Sequence, residues 1–275
     1  LASVSKQFTA AAILLLAQDG TLGIDDPVRR WLPSLPHVAD AITLRHLLTH
    51  TSGLVDYEDL MAEPYDGQIL DAGVLDLLAK EPRLYFEPGS AYRYSNSAYA
   101  LLALVVERAS GLDFPAFLRS RIFLPLNMHD SLAYVKDGPA VPHRAWGYSE
   151  VDGRWQRSDQ SSTSAVLGDG GIYSSIDDLA KWDAALYDDR LLSDASRALA
   201  FGKQVAVPDE AGVSHYGFGW RIGDGIQWHS GETIGFRNVI IRWPDKHLTV
   251  VLLSNRNDPA PYDTAIRIGA LFGAD

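Results

Sequence analysis

Residues 4–18 constrain the fold of this chain more than any other segment. After Phe8 the side chains are apolar on nearly every side of a helix, and Gly20 follows as a stop signal. A helix of this kind needs other elements around it, so the segment predicts a helix at the centre of the protein. The apolar run, residues 10–17, is far shorter than the ~20 residues that cross a bilayer, and we expect no membrane span here.

Composition narrows the classes of function. The 275 residues fit one large or two smaller domains, and 47% hydrophobic with 21% charged residues is typical of a folded globular chain. The net charge is −11 and the basic residues are scattered, so we expect no nucleic acid partner. The absence of cysteine excludes disulfides, cysteine nucleophiles and thiolate metal sites.

The order of patterns along the chain predicts the fold class. Helical patterns fill residues 21–165, and another follows at 176–187. β-rich runs then occupy 216–222, 236–243 and 248–254, with a hairpin turn at 244–247 and a closing helix at 262–272. Strands grouped after a helical block favour an α+β fold with antiparallel pairing over a βαβ repeat.

One Ser-x-x-Lys tetrad, Ser3 to Lys6, lies at the start of the apolar helix. The free N–H groups of a helix start favour an anion, and Lys6, three residues on, can reach the Ser3 hydroxyl. Burial favours a neutral amine, which can act as a general base. The tetrad alone does not establish a serine nucleophile, because an N-cap serine followed by a solvated first-turn lysine gives the same pattern and is the more common case.

The second pattern is Tyr94-Ser95-Asn96, directly before a predicted helix at 96–110. A phenol beside a cationic amine can relay protons to a leaving group. The alternative is a buried tyrosine followed by a helix cap.

The third pattern, His-x-Gly, occurs at His215 and at His229. His215 merely leads into a strand. His229-Ser230-Gly231 follows a short predicted strand, 226–228, and precedes Glu232, so an edge strand there could present its backbone N–H groups to an acyl group.

No pattern indicates a metal or cofactor. His46 and His50 have helical spacing, but no glutamate stands between them as in the H-E-x-x-H zinc motif. The chain has no Walker loop, no G-x-G-x-x-G and no G-x-S-x-G nucleophile elbow. We expect neither a metal nor a cofactor.

Taken in order, the three motifs resemble the serine β-lactamase-like family, which includes class C β-lactamases, D-alanyl-D-alanine carboxypeptidases, D-aminopeptidases and family VIII esterases. The resemblance runs the whole length of the chain. Accessory stretches agree with it at residues 23–28, 42–54, 86–89, 168–171 and 216–220.

The resemblance implies an α/β domain, with an antiparallel sheet flanked by helices, and an all-α domain, with a cleft between them. Residues 1–20 and 166–275 would form the first domain and residues 21–165 the mainly helical one. Family members carry upstream residues that supply a helix and strands of the same sheet. We therefore expect this segment to lack strands and, expressed alone, to be of low stability and little activity.

For the site, the resemblance implies that Ser3 is the nucleophile and that Lys6 and Tyr94 activate it, with the first proton acceptor left open. Tyr94 would also protonate the leaving group. The backbone N–H groups of Ser3 and Glu232 would form the oxyanion hole. Asn96 would orient the Lys6 amine or the substrate amide.

His229, Ser230 and Gly231 would bind substrate by the same resemblance. β-Lactamases of this family usually have Lys-Thr-Gly there, and a histidine is largely neutral at pH 7, so lactam recognition is weakened. The leading hypothesis is a serine hydrolase acting on esters or D-amino-acid peptides and amides. A class C-like β-lactamase and a penicillin-binding receptor acylated without turnover are the alternatives.

The expected partner is a small-molecule ester, lactam or peptide, and the oligomeric state is left open. Loops at 57–68 and 148–164 are expected to shape the substrate site. The resemblance implies a periplasmic or secreted protein, while the lack of cysteine is equally compatible with the cytoplasm.

Overall fold

The computed structural model describes residues 1–62, 64–208 and 210–274. Its α-helices are α1 (Lys6–Gln18), α2 (Val28–Trp31), α3 (Leu44–Leu48), α4 (Tyr57–Leu60), α5 (Asp71–Leu78), α6 (Asn96–Ser110), α7 (Phe114–Leu118), α8 (Leu167–Gly170), α9 (Ile176–Ala185), α10 (Asp194–Phe201) and α11 (Tyr262–Leu271). Shorter helical turns are Ala2–Ser5, His37–Ala39, Arg119–Phe123 and Pro244–Lys246.

The strands of the described residues are β1 (Leu132–Ala133), β2 (Tyr148–Val151), β3 (Arg154–Arg157), β4 (Ile172–Tyr173), β5 (Val205–Ala206), β6 (His215–Tyr216), β7 (Arg221–Ile222), β8 (Gln227–Thr233), β9 (Phe236–Trp243) and β10 (Leu248–Ser254). Strands β5 to β10 form one antiparallel sheet in the order β10-β9-β8-β7-β6-β5. The pairs β1–β4 and β2–β3 stand apart from it. The mixture of helices and an antiparallel sheet confirms the predicted α+β class.

Helix α1 lies in the middle of the molecule, as its all-round apolar sequence predicts. Its residues from Lys6 to Leu16 are buried. The Phe8 ring packs on Trp182, with ring centroids 4.5 Å apart, and edge-on against Phe123 at 5.6 Å. Helix α6 packs beside α1. A buried helix of this kind gives the residues at its start a fixed position.

Buried apolar side chains form two clusters. The larger one contains α1 and α6 and draws side chains from both of the predicted domains, 1–20 with 166–275 and 21–165. The smaller one lies between the sheet and α11. The division of the chain into a sheet domain and a helical domain stays a prediction.

Two strand predictions were wrong in detail. The run 216–222 is not one strand: β6 and β7 pair with each other, Tyr216 opposite Arg221. The chain turns between them because Gly219 has a φ of +79°, and a Cβ there would lie 2.8 Å from the Lys6 carbonyl oxygen. The predicted strand 226–228 continues instead to Thr233, so the His-x-Gly motif lies inside β8.

Replacing Phe8 tests the central position of α1. We expect Phe8→Ala to lower the free energy of unfolding by about 3–5 kcal/mol, because it opens a cavity between α1 and Trp182. Phe272 is 72% exposed, and Phe272→Ala is the matched control, with an expected change within about 0.5 kcal/mol. Chemical denaturation measures both, and equal losses would contradict this view of α1.

Candidate active site

The Lys6 side chain, at the first residue of α1, is completely buried and has three polar neighbours. Its Nζ lies 3.0 Å from Ser3 Oγ, 2.9 Å from Asn96 Oδ1 and 2.8 Å from the Asp169 carbonyl oxygen. The amide and carbonyl oxygens are acceptors only, so they take two N–H groups of the amine. The remaining position on Nζ faces the Ser3 hydroxyl, which can either accept from an ammonium or donate to a neutral amine.

Ser3 lies in the helical turn Ala2–Ser5 and is half-buried, on the wall of a cavity of about 590 Å³. Asn96, Asp169 and Glu232 line the same cavity. A substrate in this cavity therefore reaches the one hydroxyl that touches Lys6.

A second hydrogen bond sets the orientation of Asn96. Its Nδ2 donates to Glu58 Oε1 at 3.1 Å, so its Oδ1 faces Lys6. Ser95 caps the start of α6 by accepting from the Ala98 N–H and fixes the backbone at Asn96. Burial, with the neighbouring Asp56, raises the pKa of the Glu58 carboxyl, against the hydrogen bond from Asn96 and the attraction of Lys6.

Asp169 is buried beside the amine but offers it only a backbone oxygen. Its carboxyl accepts from Tyr57 Oη at 3.1 Å. Burial raises the pKa of the Asp169 carboxyl to about 8, against the attraction of Lys6, so this side chain carries its proton at neutral pH.

Asp71 holds the turn that carries Asp169. Its carboxyl accepts from the backbone N–H groups of Leu167 at 2.8 Å and Gly168 at 3.0 Å. Burial raises the pKa of the Asp71 carboxyl to about 6 despite these hydrogen bonds. The side chain of Asp71 thus keeps the Asp169 carbonyl oxygen pointed at Lys6.

Tyr94 reaches the site through its ring. The Lys6 Nζ lies 4.9 Å from the centroid of that ring. The Tyr94 hydroxyl is buried and makes no hydrogen bond within the described residues, so it contacts neither Ser3 nor Lys6 as a donor. The Ser-x-x-Lys and Tyr-x-Asn motifs thus lie side by side, and the Tyr94 hydroxyl is buried without a hydrogen-bond partner among the residues described.

His229 is placed differently from the prediction. Its side chain is completely buried in β8 and presents no surface to a substrate. Nδ1 lies 2.6 Å from the Ser230 carbonyl oxygen and Nε2 lies 3.0 Å from Tyr216 Oη. Burial, aided by the charge of Arg221, lowers the pKa of His229 well below its usual value. The imidazole is neutral, with the tautomer that donates from Nδ1.

Gly231 and Glu232 bring β8 against the nucleophile. A Cβ on Gly231 would lie 2.0 Å from the Leu1 carbonyl oxygen and 3.0 Å from the Ser3 nitrogen, so only glycine fits. Beyond Trp228, the described part of the sheet pairs β8 with β9 alone. The free side of β8 at Glu232 therefore faces the segment that carries Ser3. Ser230 is half-buried and does not line the cavity.

Several polar groups around Lys6 lie outside the three motifs. Glu58 is in the loop expected to shape the substrate site, and Asp169 is in one of the accessory stretches, but neither carried an assigned role. Arg221, whose Nη1 lies 3.3 Å from His229 Nε2, had no signal at all. Local patterns miss these residues because their importance comes from neighbours that are far away in sequence.

Among the residues described, no group of three or more histidines, aspartates or glutamates is placed to hold a metal ion. Of the helices described, none has both the length and the apolar content to cross a membrane.

A buried lysine at the start of a helix, beside a cavity-facing serine in a turn that packs against β8 and β9, defines the Ser-Lys class of site. The model of the Beta-lactamase family matches residues 1–274, and the chain belongs to that family. This confirms the resemblance inferred from the motifs.

Individual relatives carry different names. The chain is 36% identical to penicillin-binding protein 4* of Bacillus subtilis, over 99% of this chain and 64% of that protein. It is 33% identical to esterase EstB of Burkholderia gladioli, over 80% of this chain and 65% of the esterase. The chain thus spans less than two thirds of the length of these curated relatives.

A solved structure agrees in fold. The D-amino acid amidase of Ochrobactrum anthropi SV3, in complex with L-phenylalanine amide, superimposes with a TM-score of 0.86 at 27% identity, over all of this chain and 84% of the amidase.

Asp169 makes stability depend on pH. Its carboxyl has a raised pKa in the folded state, so its stabilising contribution is complete below about pH 4 and is lost as the pH rises through about 8. The buried His50 and His229 have lowered pKa values and change stability in the opposite direction over this range, so the comparison with Asp169→Asn isolates the carboxyl. We expect the change in the free energy of unfolding from about pH 5 to about pH 8 to be more negative in the parent protein than in Asp169→Asn. Urea unfolding at the two pH values measures this, with the exposed Asp224→Asn as control. The same slope in Asp169→Asn and in the parent protein would contradict the buried, protonated carboxyl.

Proposed function

We propose that this chain is a serine hydrolase that forms an acyl-enzyme on Ser3. The observation that carries the proposal is the contact of 3.0 Å between Lys6 Nζ and Ser3 Oγ, with the other two partners of Nζ obligate acceptors. In this arrangement the amine takes the hydroxyl proton while Oγ attacks the substrate carbonyl carbon. Collapse of the tetrahedral intermediate breaks the bond to the leaving group, and water then hydrolyses the acyl-enzyme.

The backbone N–H groups of Ser3 and Glu232 form the proposed oxyanion hole. Two placements support this oxyanion hole. Gly231 packs against the Ser3 nitrogen, and the next residue, Glu232, lines the same cavity as Ser3. Donors of this kind contribute about 2.7–4 kcal/mol each to the stability of the transition state in acyl-transfer enzymes.

Tyr94 is the proposed proton donor to the leaving group. Its hydroxyl is buried and makes no hydrogen bond to the residues described, so no acceptor among them competes for its proton. Its ring lies beside the Lys6 amine, from which the hydroxyl can recover a proton after each step.

Charge on the cavity wall favours uncharged or amine-bearing substrates. Five acidic residues line the cavity: Glu58, Asp130, Asp159, Asp169 and Glu232. One of them, Asp169, is protonated at neutral pH because its pKa is raised to about 8. Among the described residues that line the cavity, Arg144 is the one lysine or arginine. Its Nη2 lies 2.7 Å from Asp159 Oδ2. A carboxylate-bearing lactam meets no free cation there. Esters and D-amino-acid amides, the substrates suggested by the names of the esterase and the amidase, fit this wall better.

Ser3→Ala tests the nucleophile. We expect loss of turnover of p-nitrophenyl butyrate by a factor of about 10³ or more, because the acyl-enzyme cannot form. The exposed Ser90→Ala variant is the control and keeps the parent rate. Spectrophotometric assays measure both, and unchanged hydrolysis by Ser3→Ala would overturn the proposal.

Mass spectrometry of the protein after mixing with the ester separates an enzyme from an acyl trap. An adduct on Ser3 that decays as product accumulates supports the hydrolase. A stable adduct with a single turnover supports instead a penicillin-binding receptor, a function consistent with the name of the Bacillus subtilis relative.

The acidic wall predicts poor use of anionic lactams. We expect kcat/KM for a chromogenic cephalosporin to be lower than for the neutral ester by about two orders of magnitude, since an unpaired like-charge contact costs several kcal/mol. Asp130→Asn removes one exposed carboxylate from the wall and should narrow the gap without changing ester turnover. Comparable kcat/KM values for both substrates would support a β-lactamase instead.

A further inference from the structure

His50 holds the segment of Tyr94 by three separate contacts. The Arg93 N–H donates to the His50 carbonyl oxygen at 3.0 Å, and the Ser95 N–H donates to His50 Nδ1, also at 3.0 Å. Between them, the rings of His50 and Tyr94 lie with centroids 4.3 Å apart and planes tilted by 35°. Arg93, Ser95 and the Tyr94 ring thus all contact His50.

The imidazole of His50 is completely buried and neutral. Burial and the charges of Lys6 and Arg221 lower its pKa well below the usual value, against the hydrogen bond with Ser95. Nδ1 can accept the Ser95 N–H only in this neutral form, with the proton on Nε2. Nε2 itself has no hydrogen-bond partner among the residues described. An apolar ring would fill the same space but would leave the Ser95 N–H unpaired.

The backbone of His50 lies in the left-handed region. Its φ is +59°, at the point where the chain leaves α3 and the Thr51 N–H donates to the His46 carbonyl oxygen at 2.9 Å. Glycine or asparagine is the usual residue in such a turn. The turn admits histidine, as also at His143 and His247, but does not require it, so the contacts of the His50 ring carry the assignment.

We propose that His50 is a positioning residue that holds the Tyr94 phenol beside the Lys6 amine. The proposal rests on the proposed function, in which Tyr94 donates the proton to the leaving group. His50 does not line the cavity, and although its ring also packs on Tyr99 and Tyr216, its proposed effect on the reaction is transmitted by Tyr94.

Two substitutions separate the two side-chain contacts. His50→Phe keeps a ring against Tyr94 and removes the acceptor for the Ser95 N–H. His50→Asn keeps an acceptor, tolerates the positive φ and removes the ring. We expect kcat for p-nitrophenyl butyrate to fall roughly 10- to 100-fold in both, with KM changed by less than about twofold, because the phenol is misplaced while the cavity is intact.

The same substitutions in a Tyr94→Phe background test whether His50 acts through the phenol. We expect the His50 effect on kcat to shrink to less than about twofold there, because the group being positioned is already gone. Tyr99→Phe is the matched control: it removes the hydrogen bond from Tyr99 Oη to the Leu48 carbonyl oxygen and keeps the ring that packs on His50. A full-sized effect of His50 in the Tyr94→Phe background would show a merely structural role.

Amide hydrogen exchange provides a readout that does not depend on activity. We expect the Ser95 amide to exchange at least tenfold faster in His50→Phe than in the parent protein, and near the parent rate in His50→Asn. An unchanged rate in His50→Phe overturns the proposal. Failure of the proposed function is detected by a different measurement, as ester turnover that survives Ser3→Ala. Amide exchange at Ser95 shows in either case whether His50 holds this segment.

Discussion

The rest of the structure depends on the burial of one amine. A lysine nitrogen removed from water must have its hydrogen bonds made by the protein, because an unpaired polar group in the interior costs several kcal/mol. The partners of Lys6 come from the turn before α1, from the start of α6 and from the segment at Asp169. The same three contacts therefore join distant parts of the chain and prepare Ser3 for reaction.

Around this amine, burial removes charge from the neighbouring groups. The Asp169 carboxyl holds its proton, and the two imidazoles of His50 and His229 stay neutral. These groups contribute hydrogen bonds and ring contacts instead of ion pairs. The described partners of the Lys6 amine are likewise a hydroxyl, an amide oxygen and a backbone carbonyl oxygen, and none of them is a carboxylate.

Features with a local cause could be predicted from the sequence. Three such features appear as expected: the burial of α1 on all sides, the helix of residues 96–110 that ends at Gly111, and the hairpin of β9 and β10. Features that depend on remote neighbours could not. Whether His229 faces a cavity or the interior is decided by its contacts with Tyr216 on β6 and Arg221 on β7. The break between β6 and β7 arises because α1 passes close to Gly219, a contact that no local pattern contains.

The contact at Gly231 has a consequence for how proteins of this fold diversify. Because a side chain there would collide with the backbone of Leu1 and Ser3, the strand and the nucleophile form a unit that tolerates little change. Residues 141–145, which also line the cavity, lie outside the helices and strands and contain no glycine in such a contact. Substitutions in this loop can then change which substrate is bound, while the contact between Gly231 and the segment of Ser3 is kept. This separation of the nucleophile from the substrate-binding loops explains how one fold can serve relatives named penicillin-binding protein, esterase and amidase.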